Sequence, residues 1–482
     1  MLVWGISALT HDASISVIND KDILFAGHAE RYSKIKNDPH LNKQLIRDAL
    51  QYGQPESVVW FENRWLKKWR QFRHFQWQYL FNINRWPNRY LRQFGIRQEV
   101  VSVNHHLSHA SAGFFTSPFE EACILCIDAL GESQTITVWK GCSNEITLFD
   151  EIHYPHSLGM LYTAFTQRCG LKPNEEEYIL MGMSAFGKPI YVKSIFKDFV
   201  AKKDFALKQN IHKGIGKWMP DAKLEDLAAS IQKVFEICLN SILHKYSFIS
   251  DNIVYMGGSA LNCVANKILY DHFKKVWIMP NPGDAGSSLG CAAFHQKQKL
   301  NWTTPYLGHE ICRPYPIESL LSELIKGNIV GVANGKAEFG PRALGNRSLF
   351  CDPRCRNGKI RVNQIKKRQK FRPFAASIRE EDVAKYFDLS KIGMSNPKYM
   401  QYTVPCFDPK SFPSIVHVDG TSRIQVVSHK DHPEFHKLLT QYQNQTDCPM
   451  LLNTSLNIKG QPLVNDAEDA KRFQLTYDIK VF

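Results

Sequence analysis

His105 and His109 stand four apart in Asn104-His105-His106-Leu107-Ser108-His109-Ala110, a run of helix-compatible residues. On a helix, residues i and i+4 project from one face, a turn apart. Two imidazoles placed this way can hold one metal ion, as in H-E-x-x-H sites. His106 points elsewhere. Asp128 closes the apolar run Ala122–Ile127 and is a plausible third ligand. Two histidines and one carboxylate make a facial triad, which suits Fe(II), with Mn or Zn also possible. A second acid at a strand end is Asp284, in Pro280-Asn281-Pro282-Gly283-Asp284. The pair His11-Asp12 lies at the corner between two short strand-like runs, where either function or ordinary turn chemistry is at home.

These residues need elements to hold them. The chain has 482 residues, enough for two or three domains, and is 44% hydrophobic. The start, Leu2–Ala8, reads as a strand rather than a signal peptide, and no apolar run reaches the length of a membrane span. Twelve cysteines, scattered singly or in apolar runs, fit a reducing, cytoplasmic setting. Cys123 and Cys126 form a CxxC, but inside an apolar strand, so a core role is favoured over zinc. Strands are expected at 23–26, 58–61, 99–103, 122–127, 135–139, 253–256 and 276–279. Helices are expected at about 40–52, from Ser157, and along the amphipathic run Leu224–Tyr246. Residues 188–225 are lysine-rich and weakly patterned, as in a surface insertion. Asn301–Pro316 is rich in Pro and Thr and reads as a linker, with a helix at 317–326 and a strand at 329–333 opening a second domain.

The formal net charge of +14 implies an anionic partner: phosphate ligands, nucleic acid or an acidic surface. Residues 62–97 hold nine Arg or Lys interleaved with ten aromatic side chains. That composition suits a single-strand nucleic-acid surface, and equally an amphipathic helical hairpin with inward-packed rings. After the strand at 253–256, Gly257-Gly258-Ser259-Ala260-Leu261-Asn262 suggests small residues opening a helix, a place for a nucleotide. Further on, polar loops interrupt apolar strands at Gly335–Ser348, Lys366–Phe374, Asp419–Arg423 and Asn453–Asn457. Each brings an Arg, Lys or amide, and together they could hold a phosphorylated ligand.

The motifs His11-Asp12-Ala13-Ser14, Asn104–Ala110, Asp128-Ala129-Leu130-Gly131-Glu132, Met181–Ser184, Gly257–Asn262, Gly283–Gly286, Glu338–Ser348, Phe371–Ala375, Asp419–Arg423 and Asn453–Ser455 occur in one order. In that order the chain resembles the O-carbamoyltransferases that decorate antibiotics and nodulation factors, over nearly its whole length. The resemblance implies an α/β chain of two parts. Residues 1–308 would be a duplicated, actin-like (ASKHA) transfer domain, similar to threonylcarbamoyl-transfer proteins. Residues 309–482 would be a YrdC-like α/β domain. The second would make carbamoyl-adenylate from carbamoyl phosphate and ATP. The first would pass the carbamoyl group to an acceptor hydroxyl.

The resemblance further implies an iron-like metal on His105, His109, Asp128 and Asp284, with Mg accompanying ATP. Nucleotide contacts would fall at Gly131, Gly159, Gly182, Gly257, Gly258 and Asn262. The carbamoyl-phosphate pocket would draw on Arg342 or Arg347, Lys366, Arg372, Arg423, Asn453 and Ser455. His11 is the expected base, with Asp12 orienting it or the acceptor. The acceptor would be a sugar or antibiotic hydroxyl, or a hydroxymethylated pyrimidine as nucleotide or in DNA. Two other readings are a non-catalytic nucleotide- or nucleic-acid-binding module and tRNA threonylcarbamoyl modification. The loop reads Asp-Ala-Leu-Gly-Glu, with Ala129 and Leu130 departing from the family's smaller residues.

Overall fold

The structure is a computed structural model that describes residues 1–73, 86–392 and 397–482. Three large sheets carry it. The first contains β1 (Leu2–Ser7), β2 (Ser14–Asn19), β3 (Asp22–His28), β4 (Ser57–Trp60) and β5 (Val100–Ser102), in the order β3-β2-β1-β4-β5. The meander β1-β2-β3 is antiparallel, whereas β4 and β5 join parallel to β1 and to each other.

The second sheet repeats this plan. Its strands are β6 (Glu121–Ile127), β7 (Gln134–Cys142) and β8 (Glu145–His153). After a short hairpin of β9 (Val200–Lys202) and β10 (Ala206–Leu207) come β11 (Asn252–Met256) and β12 (Lys275–Trp277). Read as β8-β7-β6-β11-β12, order and directions match the first sheet strand for strand. The central strands β1 and β6 are apolar runs buried on both faces, as strands covered on each side require.

Between the two sheets lie two helices pressed together. Ser287–Gln296 rests on β1, β2 and β4, and His105–Thr116 rests on β6 and β11. Their contact is close because small residues meet there. A Cβ on Gly290 would overlap the carbonyl oxygen of Ser108. The helix Leu224–Tyr246 covers the outer face of the second sheet, its apolar side buried among Leu161, Phe165 and Tyr255.

The third sheet is mixed. Beside it, β13 (Tyr306–Ile311) and β15 (Gly335–Glu338) form a separate two-stranded pair, and the sheet itself starts with β14 (Val330–Ala333). It continues with β16 (Arg347–Cys351), β17 (Ala375–Arg379), β18 (Thr403–Pro405), β19 (Thr421–Val427) and β20 (Met450–Ser455). The six-stranded order is β14-β16-β20-β17-β19-β18.

Three expectations are corrected. The segment 301–316 is not a bare linker, since β13 within it pairs antiparallel with β15, and the boundary at 308/309 falls inside that strand. Residues 188–225 are not merely a surface insertion. Ile195, Phe199, Phe205, Leu207 and Ile211 are buried against the helix Leu224–Tyr246 and its surroundings. After β11 the chain enters a 3₁₀ turn, Gly258–Leu261, rather than an α-helix. All twelve cysteines are free, and Cys123 and Cys126 are buried in β6. Among the described residues, no helix is long and apolar enough to cross a membrane.

Candidate metal centre and anion pocket

The helix His105–Thr116 begins where β5 ends, and its first turn presents His105 and His109 on one side. Asp128 follows β6 directly, and Asp284 opens the 3₁₀ turn leading into Ser287–Gln296. Ligand atoms of all four residues lie within 4.8 Å of one another. His105 Nε2 is 3.1 Å from His109 Nε2 and 3.1 Å from Asp128 Oδ2. His109 Nε2 is 3.3 Å from both Asp128 Oδ2 and Asp284 Oδ1, and His105 Nε2 is 3.6 Å from Asp284 Oδ1. Metal–ligand bonds of about 2.1 Å place ligand atoms at right angles roughly 3 Å apart. The donor set therefore fits a divalent cation.

The ligands are held from behind. Glu132, itself buried, accepts the backbone N–H of His105 at 2.9 Å and of Asn63 at 2.7 Å, which seats the helix start. Ser287 Oγ lies 3.4 Å from His109 Nδ1. The N–H of Ala129 donates to Asp128 Oδ1 at 2.8 Å, leaving Oδ2 toward the histidines. His106 turns away, with Nδ1 2.9 Å from Thr137 Oγ1. Burial, reinforced by His105, pushes its imidazole down to about 3. Burial works against charging His109, yet Asp128 and Asp284 carry it up to about 9. Burial likewise opposes ionisation of Asp128, but the His105 and His109 hydrogen bonds hold it well below the carboxylate range.

His11 and Asp12 join this centre. His11 spans two carboxylates, with Nε2 3.2 Å from Asp284 Oδ2 and Nδ1 2.9 Å from Asp12 Oδ2. Asp284 first, against the opposing cost of burial, and then Asp12 raise the imidazole to about 10. Around Asp128 gather four of the expected glycines. A Cβ on Gly258 would lie 3.1 Å from Asp128 Oδ1, on Gly131 2.8 Å from His106 Cδ2, and on Gly159 3.0 Å from Ala129 N. Gly257 has φ of +87° and backs onto the Ile127 carbonyl. Gly182 lies apart, at the junction with the third sheet, where its carbonyl accepts from His417 Nε2 at 2.8 Å. Asn262 is spent on structure, exchanging two hydrogen bonds with Gln232.

A second group of side chains gathers at that junction. Arg342, Arg368, Arg372 and Arg423 converge, and among the described residues none of the four forms a direct ion pair, Glu176 acting on Arg372 only from a distance. Burial, with Arg423 and then Arg372 nearby, lowers Arg342 to about 9. Arg372 stacks on Tyr178 at 4.6 Å, a side chain brought in by the helix Glu177–Met183 of the N-terminal half. Lys366 is buried, donating to the Ser455 carbonyl and, at 2.8 Å, to that of Asn457. Burial pulls its ammonium well below the lysine range. Asn453 Nδ2 donates to Ser377 Oγ and Gln425 Oε1, and Ser455 Oγ donates to Asn457 Oδ1.

Arg347, from the same loop as Arg342, is elsewhere. Its Nε donates to Asn465 O, its Nη1 to Asn334 O and Asn346 O, and its Nη2 to His309 O and Gly335 O. All five N–H groups of the guanidinium are used by backbone carbonyls, so Arg347 braces the loop and is corrected from ligand to scaffold. Glu338 completes the brace, accepting the N–H groups of Leu344, Asn346 and Arg347. Tyr178 and Glu132 are not among the expected site residues, and Arg368 is expected only as one member of the basic loop Lys366–Phe374. For Arg368 the only signal was its place in the basic run 366–372.

Of the basic, aromatic segment 62–97, expected as a nucleic-acid surface or a helical hairpin, residues 74–85 lie outside the described residues. Its described ends are the helices Arg64–Arg73 and Pro87–Arg92. Trp65 is 69% exposed, its ring 4.8 Å from Trp86, over which Lys68 Nζ sits at 4.7 Å.

The family model "Carbamoyltransferase N-terminus" matches residues 68–293, and "Carbamoyltransferase C-terminus" matches 321–482. The chain belongs to the carbamoyltransferase family and is an enzyme of that class. An uncharacterised Synechocystis protein is 32% identical, covering 98% of this chain and 93% of its own. Nodulation protein NolNO of Sinorhizobium fredii is 30% identical over 97% of this chain and 77% of its own. The 3'-hydroxymethylcephem-O-carbamoyltransferase of Amycolatopsis lactamdurans is 25% identical over 95% and 94%. Relatives of this kind place the chain among the O-carbamoyltransferases.

Proposed function

We propose that the chain is an ATP-dependent O-carbamoyltransferase with two chemical stations. The YrdC-like C-terminal part, which begins beyond strand β13, makes carbamoyl-adenylate from carbamoyl phosphate and ATP in the arginine pocket. The actin-like N-terminal part moves the carbamoyl group to an acceptor hydroxyl at the histidine–aspartate centre. The observation that supports this reading is the pairing of a cationic pocket without direct ion pairs with a separate cluster of four possible metal ligands. The first suits a multiply charged phosphate ligand, and the second a cation.

In the first step the carbamoyl–phosphate bond and the α–β bond of ATP are both broken. One water is consumed, and phosphate and pyrophosphate leave. Arg342, Arg372 and Arg423 present fork-shaped donors to these anions. Lys366 is held by Ser455 and Asn457 and so stiffens the pocket wall. In the second step the acceptor oxygen attacks the carbamoyl carbon and AMP leaves. A divalent cation on His105, His109, Asp128 and Asp284, with Fe(II) well suited to this donor set, would polarise the departing phosphate oxygens. His11 takes the acceptor proton. As an imidazolium between Asp12 and Asp284 it can only donate, so this role requires the Asp284 charge to be engaged elsewhere, as ligation would do.

The acceptor is a small-molecule or nucleotide hydroxyl. Exposed Trp65, with Trp86 and Lys68, favours an acceptor bearing a nucleobase, including hydroxymethylated pyrimidine in DNA. Asn63, immediately before that helix, shares Glu132 with the His105 N–H, so the aromatic pair begins beside the metal centre.

The test uses purified protein with ATP and carbamoyl phosphate. Pyrophosphate release dependent on both is expected, and its absence overturns the proposal. Adding hydroxymethylated DNA and mass-analysing its nucleosides decides the acceptor: without a carbamoyl mass increment, the DNA reading falls. His11→Asn is expected to abolish transfer while sparing pyrophosphate release. Loss of both overturns the role given to His11.

A further inference from the structure

We infer that the lysine-bearing segment 188–223 is a binding surface for the phosphodiester backbone of a polynucleotide. This rests on reading the acceptor as one that bears a nucleobase, and it makes that acceptor part of a polymer. The segment holds nine lysines against three aspartates, a net +6 within a chain total of +14. Two of the aspartates are engaged elsewhere. Asp198 accepts Trp218 Nε1 at 2.9 Å, and Asp204 faces Lys245 of the helix Leu224–Tyr246 at 3.8 Å. The lysines are left to solvent. Among the described residues none of the nine forms an ion pair, and exposed Lys193, Lys197, Lys202 and Lys213 make no side-chain hydrogen bond either.

Charge alone would suit any anion; the fold adds stiffness and position. Ile195, Phe199, Phe205, Leu207 and Ile211 are buried, which anchors the segment and leaves its lysines outside. Lys193 and Lys197 stand one turn apart on the helix Val192–Asp198, and Lys208 Nζ, just after β10, donates to the Lys197 carbonyl. The Leu207 N–H donates to His156 Nδ1 at 3.1 Å. Ser157, next in the chain, donates through Oγ to the Ala129 carbonyl at 2.7 Å, beside the ligand Asp128. Tyr154 makes a second tie. Its N–H donates to the Ser133 carbonyl at 2.8 Å, its hydroxyl accepts Asn210 Nδ2 at 2.7 Å, and its ring lies 5.9 Å from that of His212. Ser133 follows Glu132, which accepts the Asn63 N–H just ahead of Trp65. Consecutive residues of the loop 128–134 therefore join both the lysine segment and the Trp65 helix to the metal centre. Rings that stack a base and cations that follow the backbone are the two parts of a single-strand surface. A free nucleotide would need only the rings.

The test uses the full chain and unreactive ligands: labelled oligodeoxythymidylate and oligouridylate without hydroxymethyl groups, titrated without ATP or carbamoyl phosphate. Binding is expected, with log affinity falling against log salt. The fourfold variant Lys193→Gln/Lys197→Gln/Lys202→Gln/Lys213→Gln is expected to keep the wild-type Tm. It should bind about tenfold more weakly or worse and lose about 2–3 from the salt slope, at about 0.7 per phosphate contact. A control replaces four exposed lysines of the C-terminal half, Lys410→Gln/Lys430→Gln/Lys437→Gln/Lys471→Gln. It removes the same charge and is expected to bind as wild type does. The tighter of the two oligonucleotides tells DNA from RNA.

Absence of wild-type binding, unchanged affinity in the first variant, or equal losses in both variants overturns the inference. So does polyglutamate binding as tightly as either oligonucleotide, which would assign the surface to an acidic protein. If the fourfold variant does not fold, the pairs Lys193→Gln/Lys197→Gln and Lys202→Gln/Lys213→Gln replace it. Wild-type affinity in both pairs, or failure of both to fold, overturns the inference too. These titrations need no turnover, so a failure of pyrophosphate release would sink the carbamoyl-transfer reading and leave their result standing.

Discussion

His105 Nε2 and His109 Nε2 face one another at 3.1 Å, with a carboxylate oxygen of Asp128 or Asp284 within 3.6 Å of each. Converging donors of this kind are arranged for a cation. Removing the metal with a chelator and restoring only Mg is expected to stop acceptor transfer while pyrophosphate release continues. Parallel loss of both activities would place the metal in the first step instead. His109→Ala should weaken metal affinity by more than the roughly 10–100-fold that loss of an outer-shell partner costs, read from metal content after dialysis.

Arg342 and Arg347 stand five residues apart in one loop, yet their substitutions should behave oppositely. Arg347→Ala removes five hydrogen bonds to backbone carbonyls in the interior and is expected to destabilise by about 3–5 kcal/mol in urea unfolding. Arg342→Gln should leave stability near wild type and raise KM for carbamoyl phosphate or ATP about tenfold or more. If the two effects were interchanged, the division between brace and ligand would be wrong.

That division also marks what the sequence made legible. The helical spacing of His105 and His109, and the position of Asp128 just after an apolar strand, are local patterns, so a three-residue candidate set could be read directly, whereas Asp284 entered the set only through the family resemblance. The division of labour between Arg342 and Arg347 is not local. It depends on carbonyls from His309, Asn334 and Asn465, which only the folded chain brings together. The amide pairing of Asn262 is non-local in the same way, since its partner Gln232 lies thirty residues away on the helix Leu224–Tyr246. The strand β13 was hidden because its pairing with β15, not an alternating apolar pattern, makes it a strand.

Gly290→Ala is expected to reach the metal centre from a distance. The added methyl would meet the Ser108 carbonyl in the middle of the histidine helix. Forcing the helices apart should cost about 1–3 kcal/mol of stability and lower metal affinity as well. Unchanged metal affinity in a folded variant would show that the seam tolerates the methyl without moving His105 or His109.

A stability loss in mild acid should trace in part to His432. Its Nδ1 accepts the Phe435 N–H at the start of the helix Pro433–Thr446, and its Nε2 donates to Asn346 Oδ1 at 2.8 Å. Burial pushes the imidazole down to about 4 from the usual 6.5. Between those values the unfolded chain binds the extra proton, so stability falls as pH drops from about 6.5 to 4, by at most about 3 kcal/mol. His432→Asn keeps a capping side chain without titrating. Its Tm should therefore change less than the wild type's between pH 7.5 and pH 5, and an identical change in both proteins would rule out His432 as the source.

The matched sheets, each covered by one of the two central helices, give the metal centre a mechanical meaning. His105, His109 and Asp128 travel with the second sheet, whereas Asp284 leads into the helix lying on the first. A cation held by all four would therefore tie the second sheet, through Asp284, to the helix packed on the first, so the same four side chains that hold the ion would also fasten the seam between the two matched sheets.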